Sequence, residues 1–177
     1  SRLNIDKTTV QALENGSGSA PTVATLESLG NEAMRDVQLA TQAFHTLYDK
    51  GELRSAAERL RDAMIVGEHM PELRTVPLKR KRDVLNFLQK VQQLEGSLET
   101  LNFTLADELL NSTGGLKTIA KDFDSAKPQG VINAAKAAAH LYLVKARAAA
   151  NSGETAKFEI AIQEAARIWP NNPELTE

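Results

Sequence analysis

Apolar residues recur at three- and four-residue steps along most of this chain, the period of helices with one buried face. Over residues 25–49 the stripe is Leu26, Ala33, Val37, Ala40, Phe44 and Leu47. Lys50-Gly51-Glu52 ends it, with Gly51 suited to the left-handed residue that closes a helix. A second helix is predicted over 53–69, burying Ala56, Leu60, Ala63 and Met64. The short turn between the two requires them to lie antiparallel. Pro71 and Pro77 bracket the connection that follows.

The next pattern spans 78–111, with Val84, Leu88, Val91, Leu94, Leu98, Leu101, Leu105 and Leu109 in step. Gly96-Ser97 interrupts it. A helical glycine costs about 1 kcal/mol relative to alanine, and Ser97 could cap a new start. The element reads as one kinked helix or as two with a tight break at that point. Gly114-Gly115 closes the unit, and a short helix is expected over 116–123. Ser125 to Gly130 reads as a connection.

A helix over 131–150 carries Ile132, Ala135, Ala139, Tyr142, Ala146 and Ala149. The turn Asn151-Ser152-Gly153-Glu154 leads into a last helix over 155–169, with Phe158, Ile162, Ala165 and Ile168 inward. Trp169 either packs on Leu175 and closes the core or stands partly exposed as a partner anchor. The expected fold is all-α: a flexible segment and linker over 1–24, then a single helical domain over 25–177. Its central section, 78–125, is irregular. Thr8 to Asn15 fits a short helix, followed by the breaker Gly16-Ser17-Gly18-Ser19-Ala20-Pro21.

Laid on the last hairpin at an offset of 102 residues, the first matches apolar with apolar. Gly51-Glu52 falls on Gly153-Glu154, Val37 on Ala139, Phe44 on Ala146, Leu60 on Ile162 and Ala63 on Ala165. The offset equals three steps of about 34, the tetratricopeptide period. The last hairpin, 131–175, resembles a tetratricopeptide repeat (TPR) in its residues too. Tyr142 stands at the large apolar position, Ala146 at the helix crossing, Gly153-Glu154 at the turn, and Ala165 before Pro170. Phe158, Lys145 and Ala149 depart from the pattern. The first hairpin, 25–69, is a looser match, and Leu85 and Ile119 stand where intervening turn glycines would fall.

The resemblance implies stacked hairpins that bind a protein or peptide partner through a groove. Polar residues of each pair's first helix would line it: Gln38, Gln42, Asn133 and Lys136.

Composition narrows the alternatives. Cysteine is absent, which excludes disulfides, thiolate catalysis and Cys-based zinc sites. His45, His69 and His140 lie too far apart in sequence for a helical ligand pair. No Gly-x-Ser-x-Gly elbow occurs. Asp122 and Asp124 sit two apart, so on a helix they would not share a face; they read as solvated charges near a helix end. No cofactor motif is present, and the expectation is a non-catalytic scaffold. A net charge of −2 disfavours nucleic acid as a partner. No apolar run of about 18 residues is available for a membrane span. The chain opens on Ser1, which fits a processed or excised fragment, so any signal peptide or anchor would lie outside it.

One cluster stands out. Lys79, Arg80, Lys81 and Arg82 crowd the first turn of a predicted helix, where the dipole disfavours cations. They serve as an anion contact, or they are a solvated face balanced by Glu68, Glu72 or Asp83. A further alternative is a homodimer joined along the apolar seam from Val84 to Leu109.

Overall fold

Among the described residues three helical hairpins follow one another, and the backbone closes the first helix of each in the same way. A computed structural model describes residues 22–67 and 70–175. The expected segment over 1–21, including the Thr8–Asn15 helix and its linker, lies outside the described residues. The elements are α1 (Val23–Lys50), α2 (Leu53–Gly67), α3 (Pro71–Thr75), α4 (Leu78–Glu99), α5 (Phe103–Asn111), α6 (Leu116–Ile119), α7 (Ala126–Asn151), α8 (Thr155–Ile168) and a 3₁₀ turn, Pro173–Leu175. The described residues are all-α.

The hairpins are α1/α2, α4/α5 and α7/α8. Each first helix ends in a left-handed residue: Gly51 at φ 79°, Leu101 at 57° and Gly153 at 69°. Each carries the paired bonds of a Schellman close. Glu52 N–H donates to Leu47 O at 2.9 Å, Asn102 N–H to Ser97 O at 2.8 Å, and Glu154 N–H to Ala149 O at 2.9 Å. The closing residues are thus spaced by 50 and then 52 positions. The 102-residue offset therefore divides into two structural steps, with the α4/α5 hairpin between its ends.

Buried positions follow the same register. Val37, Phe87 and Ala139 are equivalent and buried, as are Phe44, Leu94 and Ala146. In the second helices Leu53 matches Phe103, Ala56 matches Ala106, and Leu60 matches Leu110, all buried. α1 packs on α2, α2 on α4, α4 on α5, α5 on α7 and α7 on α8, so contacts run to neighbours along the chain.

Two cores result. One joins α1, α2, α3 and Val84 of α4 around Phe44 and Val37. The other joins α4 to α8 around Phe87, Leu110, Leu116 and Ile132 and includes Leu53 of α2. Tyr48 packs against both.

The structure moves several expected features. α4 runs straight through Gly96-Ser97; the break lies at residues 100–102. Ser97 is buried and donates to the Leu94 carbonyl at 2.8 Å, so it lies within α4 and caps no new start. Asn102 is the true cap, accepting from Leu105 N–H at 3.2 Å. A new axis resets the helical phase, so one stripe cannot hold across 84–109. Leu101 and Leu105 are exposed, while α5 buries Phe103, Ala106 and Leu110. Leu88 is exposed because Phe87 and Leu94 set the inward face of α4. Leu26, Met64 and Phe158 also stand exposed.

Residues 126–130 form the first turns of α7 instead of a connection. Pro128 is tolerated there because its missing N–H falls among those a helix start leaves unpaired. The Pro71–Pro77 connection folds as α3, with Pro71 at its first position and Leu73 buried.

Trp169 is buried and meets Phe103 edge to face, with ring centroids 6.4 Å apart. Among the described residues no helix is long and apolar enough to cross a membrane.

Candidate functional site

The basic cluster divides into two residues tied inward and two that point out. Arg80 reaches back to the end of α1. Its guanidinium pairs with Asp49 at 2.8 Å, meets His45 Nδ1 at 3.1 Å and lies 4.8 Å over the Tyr48 ring. Tyr48 donates its hydroxyl to Asp83 at 2.5 Å. That bond to the Asp83 carboxylate, with burial, pushes the Tyr48 phenol above its ordinary pKa. Lys81 donates to the Leu73 carbonyl of α3 at 2.6 Å. The counter-charge on Arg80 is Asp49. Of the three expected balancing acids, Asp83 takes the tyrosine and Glu72 takes Gln38; Glu68 lies outside the described residues. Lys79 and Arg82 are exposed, with no ion pair among the described residues.

The four expected groove residues fall in two separate places. On α1, Gln38 donates to Glu72 of α3 at 3.3 Å, and Gln42 is exposed one turn further on. On α7, Asn133 accepts from Gln129 at 3.0 Å, and Lys136 pairs with Asp107 of α5 at 2.8 Å. The Lys136 ammonium, aided by the Asn111 amide, holds the Asp107 carboxyl below its ordinary range against the effect of burial. Gln38 and Lys136 thus each brace a neighbouring helix.

The apolar seam expected for a homodimer is partly used inside the fold. Val84 and Leu94 are buried in the two cores, whereas Leu88, Leu101 and Leu105 remain at the surface.

The chain matches no family model, no curated protein and no solved structure.

Two further features of the structure were not expected from the sequence. The first is Asp122. Its carboxylate accepts from Arg54 N–H at 3.1 Å and Ser55 N–H at 2.7 Å, at the start of α2. Burial alone would raise its pKa; the Ser55 and Arg54 bonds outweigh it and hold the carboxyl below the ordinary range. Lys121 N–H donates to the Gly51 carbonyl at 2.9 Å, and the Lys121 stem lies about 3.5 Å from where a Gly51 side chain would begin. Asp122 was read from sequence as solvated; it is a helix cap supplied from the far side of the chain. Local spacing carries no signal for such a contact.

The second is a groove of about 470 Å³ on the α7/α8 hairpin. Tyr142, Ala149, Ile160 and Ala161 supply apolar wall, and Lys145 and Lys157 stand at it. Lys145 lies 4.9 Å over the Tyr142 ring, and Lys157 pairs with Glu154. Tyr142 and Gly153-Glu154 belong to the repeat-like motif, but the sequence offered no sign of an open cavity beside them.

Among the described residues no group of three or more His, Asp or Glu side chains converges to hold a metal ion.

Proposed function

We propose that this chain is a non-catalytic module of TPR-like helical hairpins that binds a protein or peptide partner. The supporting observation is the α7/α8 groove: a trough with apolar walls, lined also by Lys145 and Lys157, on the last of three hairpins that pack in chain order. Apolar walls supply affinity on burial, and charged groups at the rim set orientation. A helix or extended peptide laid between two antiparallel helices fits such a trough.

The test is affinity capture with the intact chain, followed by titration of the recovered partner. Replacing Ile160 with Asp should weaken binding at least tenfold, and the melting temperature should hold because Ile160 is 61% exposed. Equal binding by wild type and variant would remove the groove from the function. Replacing Gln38 and Gln42 tests the polar residues of the first helix in the same assay.

A further inference from the structure

α1 is longer than its own hairpin needs. α2 runs back along it only to the level of Val37, where a side chain at Gly67 would begin 3.0 Å from a Val37 methyl. α3 adds the Gln38–Glu72 bond at the same level. Residues 23–36 continue beyond, a helical length of about 20 Å. Their apolar stripe stays in step with Val37, yet Val23, Leu26 and Met34 are 72, 54 and 44% exposed. In the later hairpins a helix of the preceding hairpin covers this face. Val84 of α4, the equivalent of Met34, is buried in the core that includes α2. Ile132 of α7, the equivalent of Gly30, is buried in the core that includes α5. Among the described residues α1 has no hairpin before it.

Side chains at four-residue steps share a row on a helix. Three such rows cross this stretch, and each has the same character read in either direction. The central row is Leu26, Gly30 and Met34, with open space around Gly30. On one side stand Thr25, Leu29 and Ala33; on the other, Glu27, Asn31 and Arg35. Turned end for end, the central row lays Leu26 on Met34 about a glycine, and the polar row lays Glu27 on Arg35. Neither of those two charges has an ion pair among the described residues.

We propose that a second copy of this chain covers residues 23–36, the two α1 helices pairing antiparallel about a two-fold axis at Gly30. In a two-fold contact, a residue that meets another is answered by the same pair reversed, so a surface that reads alike both ways meets itself without mismatch. Leu26 of each copy packs on Met34 of the other. The two Gly30 positions let the backbones approach. Glu27 of each copy pairs with Arg35 of the other. That row also selects the direction, because a parallel pair would set Glu27 on Glu27 and Arg35 on Arg35. The seam lies on the first hairpin and the groove on the third, so self-association and partner capture stand or fall separately.

The seam is short and the dimer correspondingly weak, so sedimentation equilibrium of the full chain is run from about one to several hundred micromolar. A monomer–dimer equilibrium is expected. Glu27→Arg and Arg35→Glu each bring like charges together and should weaken it at least tenfold. Combining the two in one chain should restore it. An equimolar mixture of the two single variants should form a mixed dimer at concentrations where neither associates alone. Gly30→Leu should dissociate the dimer while circular dichroism retains the helix, because leucine is the better helix former at this open position.

A wild type that stays monomeric across the range overturns the proposal; if its amides over 26–34 then resist hydrogen exchange, another segment of the same chain is the cover. A dimer indifferent to the charge exchanges and to Gly30→Leu also overturns it and puts self-association on another face. Dissociation by the single variants with no recovery in the mixture overturns the antiparallel charge pairing.

Discussion

Asp122 and Ser55 lie 67 residues apart in sequence and are joined by a 2.7 Å hydrogen bond that caps α2. Asp122→Ala should lower stability by about 1 kcal/mol, the usual worth of a helix cap. The pH dependence has a definite sign. The native carboxyl is held below its ordinary pKa, so its contribution is present above the ordinary carboxylate range. It is lost as pH falls through the lower native value. Thermal melts from pH 7 downward should show a gap between wild type and Asp122→Ala that is constant to about pH 4 and closes below it.

Thr41 is buried and its hydroxyl has no partner among the described residues. At the equivalent positions the later hairpins carry Val91 and Leu143, both apolar. Thr41→Val keeps the shape and removes an unsatisfied polar atom. Denaturant unfolding should show a gain of about 1 kcal/mol. A loss would mean that the hydroxyl has a partner.

Leu101 occupies a left-handed conformation that Gly51 and Gly153 fill without a side chain. L-residues with a Cβ are strained there by about 1–2 kcal/mol. The leucine side chain is 38% exposed, so its removal also gives up some apolar burial. Leu101→Gly should therefore stabilise by roughly 1 kcal/mol at most, the relief of strain outweighing that smaller loss. The converse changes, Gly51→Ala and Gly153→Ala, should destabilise. Thermal melts of the three variants check the signs.

Arg80 and Asp49 pair across α4 and α1 with Asp49 well exposed, so the pair is worth modest energy. A double-mutant cycle with alanine at both positions should give a coupling of about 0.5–1 kcal/mol that shrinks as salt is raised. Lys79→Ala and Arg82→Ala should each leave stability within about 0.5 kcal/mol.

Gly130 lies within α7 with open space around it, whereas Gly115 would push a side chain to 2.7 Å from the Leu110 carbonyl oxygen. Gly130→Ala should stabilise by about 0.5–1 kcal/mol. Gly115→Ala should cost about 1–3 kcal/mol, because backbone must shift to admit it. Opposite signs in one melting series check both.

Local chemistry made the helices legible in the sequence. Gly51 and Gly153 marked their turns, and Val37, Phe44, Ile132, Ala139 and Ala165 declared the buried faces. What stayed hidden is what depends on distant residues. The break at residues 100–102 uses a leucine where a glycine would announce it, so the α4/α5 hairpin did not stand out as an equivalent of its neighbours. Pro128 disguised the start of α7. The bonds of Arg80 to Asp49 and of Asp122 to Ser55 join segments that no short window contains. The groove beside Gly153 is legible only by comparison with the covered turn at Gly51.

The remote cap also bears on how the chain is made. A ribosome working at about 5–20 residues per second releases Ser55 roughly 3–13 seconds before Asp122. Through that interval the turn at Gly51 and the Arg54 and Ser55 amides lack the Lys121 and Asp122 contacts of the finished fold. Vectorial synthesis therefore completes the α2 sequence before the segment that caps its first amides has been made.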